Sequence, residues 1–168
     1  MHPRFAAEAR YQAITGKRGT MDPAWHIRKA IPKDSDSLKN CMVSAYAVYE
    51  ERMGGLHLPP MDVDYLFEIR NYPTWVVESE GNLLGGLIMV FENDQASIAN
   101  IAVDPGFQGQ GIGSALMRFA ESKAIENGFA ELQLATHALL NENISLYQHL
   151  GWKETGKDES RIFMTKRI

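Results

Sequence analysis

The chain has 168 residues, a net charge of −4 from 17 basic and 21 acidic side chains, and a single cysteine, Cys41. That length suits one domain able to bury roughly two-thirds of its unfolded surface without staples, while the acidic balance argues against a broad nucleic-acid-binding face and the lone cysteine excludes an internal disulfide or a cysteine-only metal site. No apolar run approaches the ~20 residues of a membrane span and the N-terminus lacks the apolar centre of a secretory signal, so the expected setting is the reducing cytoplasm, with neither a membrane nor a nucleic acid as partner.

Residues 1–22 read as a weakly ordered N-terminal extension, with Arg4, Arg10, Lys17 and Arg18 among alanines and a break at Gly16 and Gly19; residues 23–168 read as the domain. Trp25 to Ala30 predicts a short strand. Pro32, with Asp34 or Ser35 as cap, starts a helix to about Glu51 whose apolar stripe includes Leu38, Met42, Ala45 and Val48. Gly54-Gly55 and Pro59-Pro60 enclose an irregular loop, after which Asp62 is expected to cap a short helix through about Arg70. Thr74 to Ser79 and Leu83 to Phe91 form a hairpin around Glu80-Gly81-Asn82, and a turn at Glu92-Asn93-Asp94 leads into the strand Ala96 to Val103.

A helix then places Ile112, Leu116, Phe119, Ala120 and Ala124 on one face and stops at Asn127-Gly128. Glu131 to Thr136 is the next strand, parallel to its predecessor because a helix crosses between them. A helix from about Asn141 to His149 follows, and two last strands flank Lys157-Asp158-Glu159. The expected class is α/β (α+β): a mixed, partly antiparallel sheet of about six to seven strands flanked by helices. His2, His26, His57, His137 and His149 are scattered without ligand spacing, so no metal site is expected.

The chemistry concentrates after Val103, where Gly109, Gly111 and Gly113 stand at alternate positions and open a helix. Glycines let the backbone approach a ligand closely, and the first amides of a helix have no intrahelical acceptor and carry the positive end of its dipole. A phosphate or pyrophosphate fits there. The spacing lacks the Lys-Ser/Thr pair of a P-loop, and the glycine after Gly111 comes too early for the dinucleotide fingerprint.

Gln108, Gly111 and Gly113 instead make Gln-x-x-Gly-x-Gly, which resembles the acyl-CoA loop of the GNAT acetyltransferase superfamily. Downstream, Asn143-Ile144-Ser145-Leu146-Tyr147-Gln148-His149-Leu150-Gly151-Trp152 resembles that superfamily's second signature, a helix carrying Leu-Tyr followed by Leu-Gly and an aromatic. The resemblance covers roughly Trp25 to the C-terminus and implies the GNAT fold, with acetyl-CoA as cosubstrate.

It further implies a division of labour. The carrier's pyrophosphate would rest on the main chain of Gly109, Gln110, Gly111, Ile112, Gly113 and Ser114, with Gln108 shaping the entrance. The pantetheine arm would lie along Ile101, Ala102 and Val103 like an added strand, the Ile101 N–H serving the thioester oxygen. Tyr147 would be the general acid for the departing thiolate, and Asn143, one turn earlier on the same face, would bind polar groups of the carrier. Asn100 in the same strand reads equally as a structural amide or a substrate contact.

Two departures stand out. Leu140 occupies a position where relatives often carry asparagine, leaving that role to Asn141, Asn143 or neither, and the strand ending at Val103 has no acid, so no general base is assigned among Glu92, Glu50, Glu142, His137 and a water chain. The acceptor is expected among the first two helices and the last hairpin, where Tyr46, Tyr49, Glu50, Glu51, Asp62, Asp64 and Glu68 make an acidic, aromatic region suited to an ammonium group; Glu92 joins Tyr46, Tyr49 and Glu50 as a candidate contact. The expected reaction is direct acetyl transfer to a small primary amine, by a protein whose sequence permits a homodimer. A protein N-terminus or lysine is the rival acceptor, and an acyl-CoA-binding module without turnover is the rival class.

Overall fold

The computed structural model describes residues 24–168; the expected extension at 1–22 lies outside them. The strands are β1 (His26–Lys29), β2 (Thr74–Ser79), β3 (Asn82–Glu92), β4 (Gln95–Val103), β5 (Glu131–His137), β6 (Lys153–Lys157) and β7 (Arg161–Arg167). The helices are α1 (Ser35–Arg52), α2 (Tyr65–Asn71), α3 (Ile112–Glu126) and α4 (Asn141–His149). All seven strands join one sheet in the order β1-β2-β3-β4-β5-β7-β6, antiparallel at every junction except β4–β5, where α3 makes the crossover.

Each face of the sheet carries its own core. Leu38, Met42 and Ala45 of α1 and Tyr65 of α2 pack with Val76 and Ile88 on one face. On the other, Leu116, Ala120 and Ala124 of α3 pack with Leu87, Leu132 and Met164. Gly86 in β3 lets α1 come close, since a Cβ there would lie 2.4 Å from Leu38 Cδ1, while at Gly85 a Cβ would lie 2.9 Å from the Ala102 carbonyl of the neighbouring β4. Phe119 sits half-buried at the rim of the second core, edge-on to Trp75 at 5.3 Å.

Two local expectations are corrected. Val48 is 46% exposed, because the α1 stripe leaves the sheet after Ala45. The cap of α2 is Asp64, whose carboxylate accepts from the Phe67 N–H at 3.0 Å, and not Asp62. The reason lies just upstream: Pro59–Met61 forms a single 3-10 turn that ends at Asp62, so the helix starts at Tyr65.

A β-bulge in β4 decides which side chains reach which face. Met89 pairs with Ile98 and Ile88 with Asn100, which leaves Ala99 as the extra residue. Before it, Ala96 and Ile98 point into the α3-side core; after it, Ile101 and Val103 do, while Ala102 faces α1. Without the bulge the last residues of β4 would present the opposite faces.

The entry to α1 is locked by charge. Asp34 accepts from Arg28 Nη1 and Nη2 at 2.8 and 2.9 Å and from the Ile31 N–H at 2.8 Å, and Arg28 also binds Glu78 of the neighbouring strand. The guanidinium holds the Asp34 carboxyl below its usual range. A carboxylate depressed in the fold stabilises it above the unfolded value near pH 4 and loses that contribution as pH falls through the folded value. Asp34→Asn is therefore expected to cost about 2 kcal/mol at pH 7, since charge-assisted bonds are lost from a nearly buried group. Thermal melts at pH 7 and pH 3 should show the gap between wild type and variant narrowing in acid.

Candidate active site

The parallel pairing of β4 with β5 covers only Ala96–Ile98 against Leu132–Leu134. Beyond it the two strands splay, and the outer half of β4 borders a cavity of about 410 Å³ walled by α1, the glycine loop and α4. The Ile101 carbonyl lies 3.5 Å from the Tyr46 hydroxyl and the Val103 carbonyl accepts from Gln108 Nε2 at 3.4 Å, so the main-chain groups of these two residues face the open side, away from β3.

The glycine loop closes one end. Gly109 and Gly111 have φ of +81° and +79°, and a Cβ on either would meet no atom within 4 Å. Their lack of a side chain thus serves the backbone conformation and keeps the space before the helix clear. Gly113 differs: its φ is ordinary and a Cβ there would make normal contact with Val103 at 3.7 Å. The first bond of α3 runs from the Ala115 N–H to the Gly111 carbonyl at 3.0 Å, which leaves the amides of Ile112, Gly113 and Ser114 without helical acceptors at the cavity wall. That array fits an anion of pyrophosphate size.

Three phenols converge on the other end. Tyr147 packs on Trp152 with ring centroids 6.2 Å apart, and its hydroxyl has no hydrogen-bond partner among the described residues. Burial, with a smaller contribution from Tyr49, pushes its pKa up to about 12, so it stays protonated at neutral pH. The Tyr46 hydroxyl donates to Asn100 Oδ1 at 3.2 Å, Asn100 Nδ2 donates to the Tyr65 hydroxyl at 3.1 Å, and Tyr65 donates to the Pro60 carbonyl at 2.6 Å. Asn100 is thus a satisfied structural amide that ties β4 to the loop before α2. Burial drives the Tyr46 phenol above its usual range. The Tyr49 hydroxyl donates to Asn143 Oδ1 at 3.3 Å across the cavity.

Of the expected carrier contacts, Ile101, Ala102, Val103, Gln108, Gly109, Gly111, Ile112, Gly113, Ser114 and Asn143 line this cavity together with Tyr147, Tyr46 and Tyr49; Gln110 does not. Nor do the two expected acidic acceptor contacts. Glu50 turns off the cavity face of α1 to meet His57 at 3.2 Å, and Glu92 pairs with Gln95 at the end of the β3–β4 ladder opposite Val103. His137 is likewise occupied, its Nδ1 accepting from the Leu139 N–H at 3.2 Å. The carboxylate on the wall is Glu142, whose two oxygens meet Arg52 Nη2 and Nη1 at 2.6 and 3.2 Å. Leu140 is buried at the start of α4 and offers no polar group.

Sequence reasoning overlooked Arg52, although a signal was available. Tyr46, Tyr49 and Arg52 follow at three-residue steps along one helix, which places them on neighbouring parts of one face. Counting acids in the region hid the cation among them.

The family model for the "Acetyltransferase (GNAT) family" matches residues 42–152. An Escherichia coli protein described as the uncharacterized N-acetyltransferase YjgM is 33% identical over 99 residues, 55% of this chain and 59% of its own length. The [ribosomal protein bS18]-alanine N-acetyltransferase of the same species is 34% identical over 83 residues, 49% of this chain and 56% of its own. The matches thus span little more than half the length of these two curated relatives. Among solved structures, a PaiA N-acetyltransferase from Thermoplasma acidophilum in complex with coenzyme A superposes with a TM-score of 0.75 at 20% identity, covering 88% of this chain and all of that one. The splayed parallel pair, the glycine loop and the matched model define the class: this chain belongs to the GNAT acetyltransferase family.

Proposed function

We propose that the protein is an acetyl-CoA-dependent N-acetyltransferase that passes the acetyl group directly to a small primary amine. The observation that carries this reading is the continuity of one cavity, from the unpaired amides at the start of α3, along the open main chain of Ile101 and Val103, to the hydroxyl of Tyr147. A pyrophosphate at one end, a pantetheine arm paired with a strand edge and a thioester beside a phenol need those features in that order.

The residue roles follow from the chemistry of amide formation. The Ile101 N–H, on the open side of β4, donates to the thioester oxygen as the amine nitrogen attacks its carbon. As the C–S bond breaks, Tyr147 gives its proton to the thiolate. The nitrogen sheds its own proton to water or to Glu142, the carboxylate on the cavity wall. Gln108, anchored to the Val103 carbonyl, shapes the entrance, and Asn143, held by Tyr49, takes polar groups of the carrier.

A protein N-terminus is the second reading, and the relative named as an alanine N-acetyltransferase of ribosomal protein bS18 supports it. A screen with thiol-release detection separates the possibilities. Small amines, α-amino acids, polyamines and short peptides are each supplied with acetyl-CoA. Faster release with small amines than with peptides supports the proposal, and preference for peptide N-termini supports the second reading. Saturable CoA binding without release across the panel would mark a binding module instead.

A further inference from the structure

A second cavity, of about 340 Å³, lies beside the first and shares Tyr49 and Glu142 with it. Its remaining walls are Arg52, Met53, Leu139, Leu140 and Asn141. The Arg52–Glu142 pair bridges α1 and α4 at this junction, with side chains 55% and 62% exposed. Building on the transferase reading, we propose that this second cavity is the acceptor subsite and that it takes a free α-amino acid with an apolar side chain, Arg52 binding the carboxylate and Glu142 the ammonium.

Three observations lead there. An exposed ion pair contributes little to stability, so opening it costs the fold little. An α-amino acid carries the same two charges about one carbon apart and can slip between the partners, its carboxylate taking the guanidinium bidentately and its ammonium meeting the freed carboxylate. The walls beyond the pair are largely apolar, with Met53, Leu139 and Leu140 available to an apolar side chain, and Leu139 is 61% exposed.

Placement favours transfer as well as binding. Glu142 and Tyr49 border both cavities, so an ammonium held by Glu142 lies at the wall shared with the cavity that Tyr147 lines. Arg52 also discriminates: an amine without a carboxylate brings a second positive charge to the guanidinium with nothing to offset it. After transfer the amide nitrogen is neutral and Glu142 loses its partner, which favours release of the product.

The test uses leucine, methionine and phenylalanine, their amides, and 3-methylbutylamine, which is leucine without its carboxylate. Calorimetry on the CoA-saturated protein reads binding, and thiol release with acetyl-CoA reads transfer. The free amino acids are expected to bind at least tenfold more tightly than the amides and 3-methylbutylamine. In Arg52→Gln that ratio should fall at least tenfold, and Arg52→Lys should recover part of it. Melting temperatures establish that both variants fold, as the exposure of Arg52 leads one to expect. Equal affinity for amino acids and amides, or a ratio that survives Arg52→Gln, overturns the subsite. Thiol release with 3-methylbutylamine but no binding of any amino acid also overturns it while leaving the transferase reading intact. Arg52-dependent binding without thiol release supports the subsite and sinks the transfer reading instead.

Discussion

Tyr147→Phe is expected to lower kcat about 10²-fold on whichever amine proves to be the acceptor, the lower end for loss of a positioned general acid, while CoA affinity and melting temperature stay close to wild type. The ring fills the same space against Trp152, and the lost hydroxyl has no protein partner among the described residues, so removing it leaves no orphaned donor or acceptor behind. Burial that lifts the phenol to about 12 also makes a prediction about pH. Below that value the acid form dominates, so the wild-type rate should show no decline from ionisation of Tyr147 up to about pH 10. A variant that turns over at the wild-type rate would assign proton delivery to water or to another group.

Much of the candidate carrier site is legible in the sequence because its chemistry is local. Two αL glycines and the free amides of a following helix need only a few consecutive residues, and Gln108 to Ser114 contain them. The Tyr147 helix is similar, since Asn143 and Tyr147 are one turn apart. The acceptor side depends on contacts distant in sequence and was legible only in outline. Tyr46 and Tyr49 do reach the cavity, but Glu50, one residue further along α1, is turned by about 100° and finds His57.

Glu92 shows a different limit. It lies in the strand next to β4, yet the antiparallel ladder carries it to the far end, a placement set by register and not by proximity in the chain. The bulge at Ala99 is harder still to anticipate. No glycine or proline marks it, and strict alternation through β4 would have assigned Asn100 and Ile101 to the wrong faces. The cap of α2 was misplaced by two residues for a simpler reason: Asp62 and Asp64 carry the same chemistry, and only the intervening 3-10 turn selects between them.

Gly111→Asp is expected to abolish the rise in melting temperature that CoA or acetyl-CoA produces in the wild type by binding the folded state. Gly111 is the N-cap of α3, held at a left-handed φ of +79°, and an aspartate there adds a carboxylate beside the helix terminus whose unpaired amides would hold the pyrophosphate. The substitution therefore places a negative charge at the proposed anion site and repels the ligand's charge. Its Cβ would meet nothing within 4 Å, and the strain of a left-handed φ near +79° costs about 1–2 kcal/mol at this one residue, so the domain should still fold. Gly111→Ala carries the same backbone strain without the charge and should retain a measurable shift, which isolates the electrostatic effect. Undiminished CoA affinity in folded Gly111→Asp protein would remove the pyrophosphate from this helix terminus.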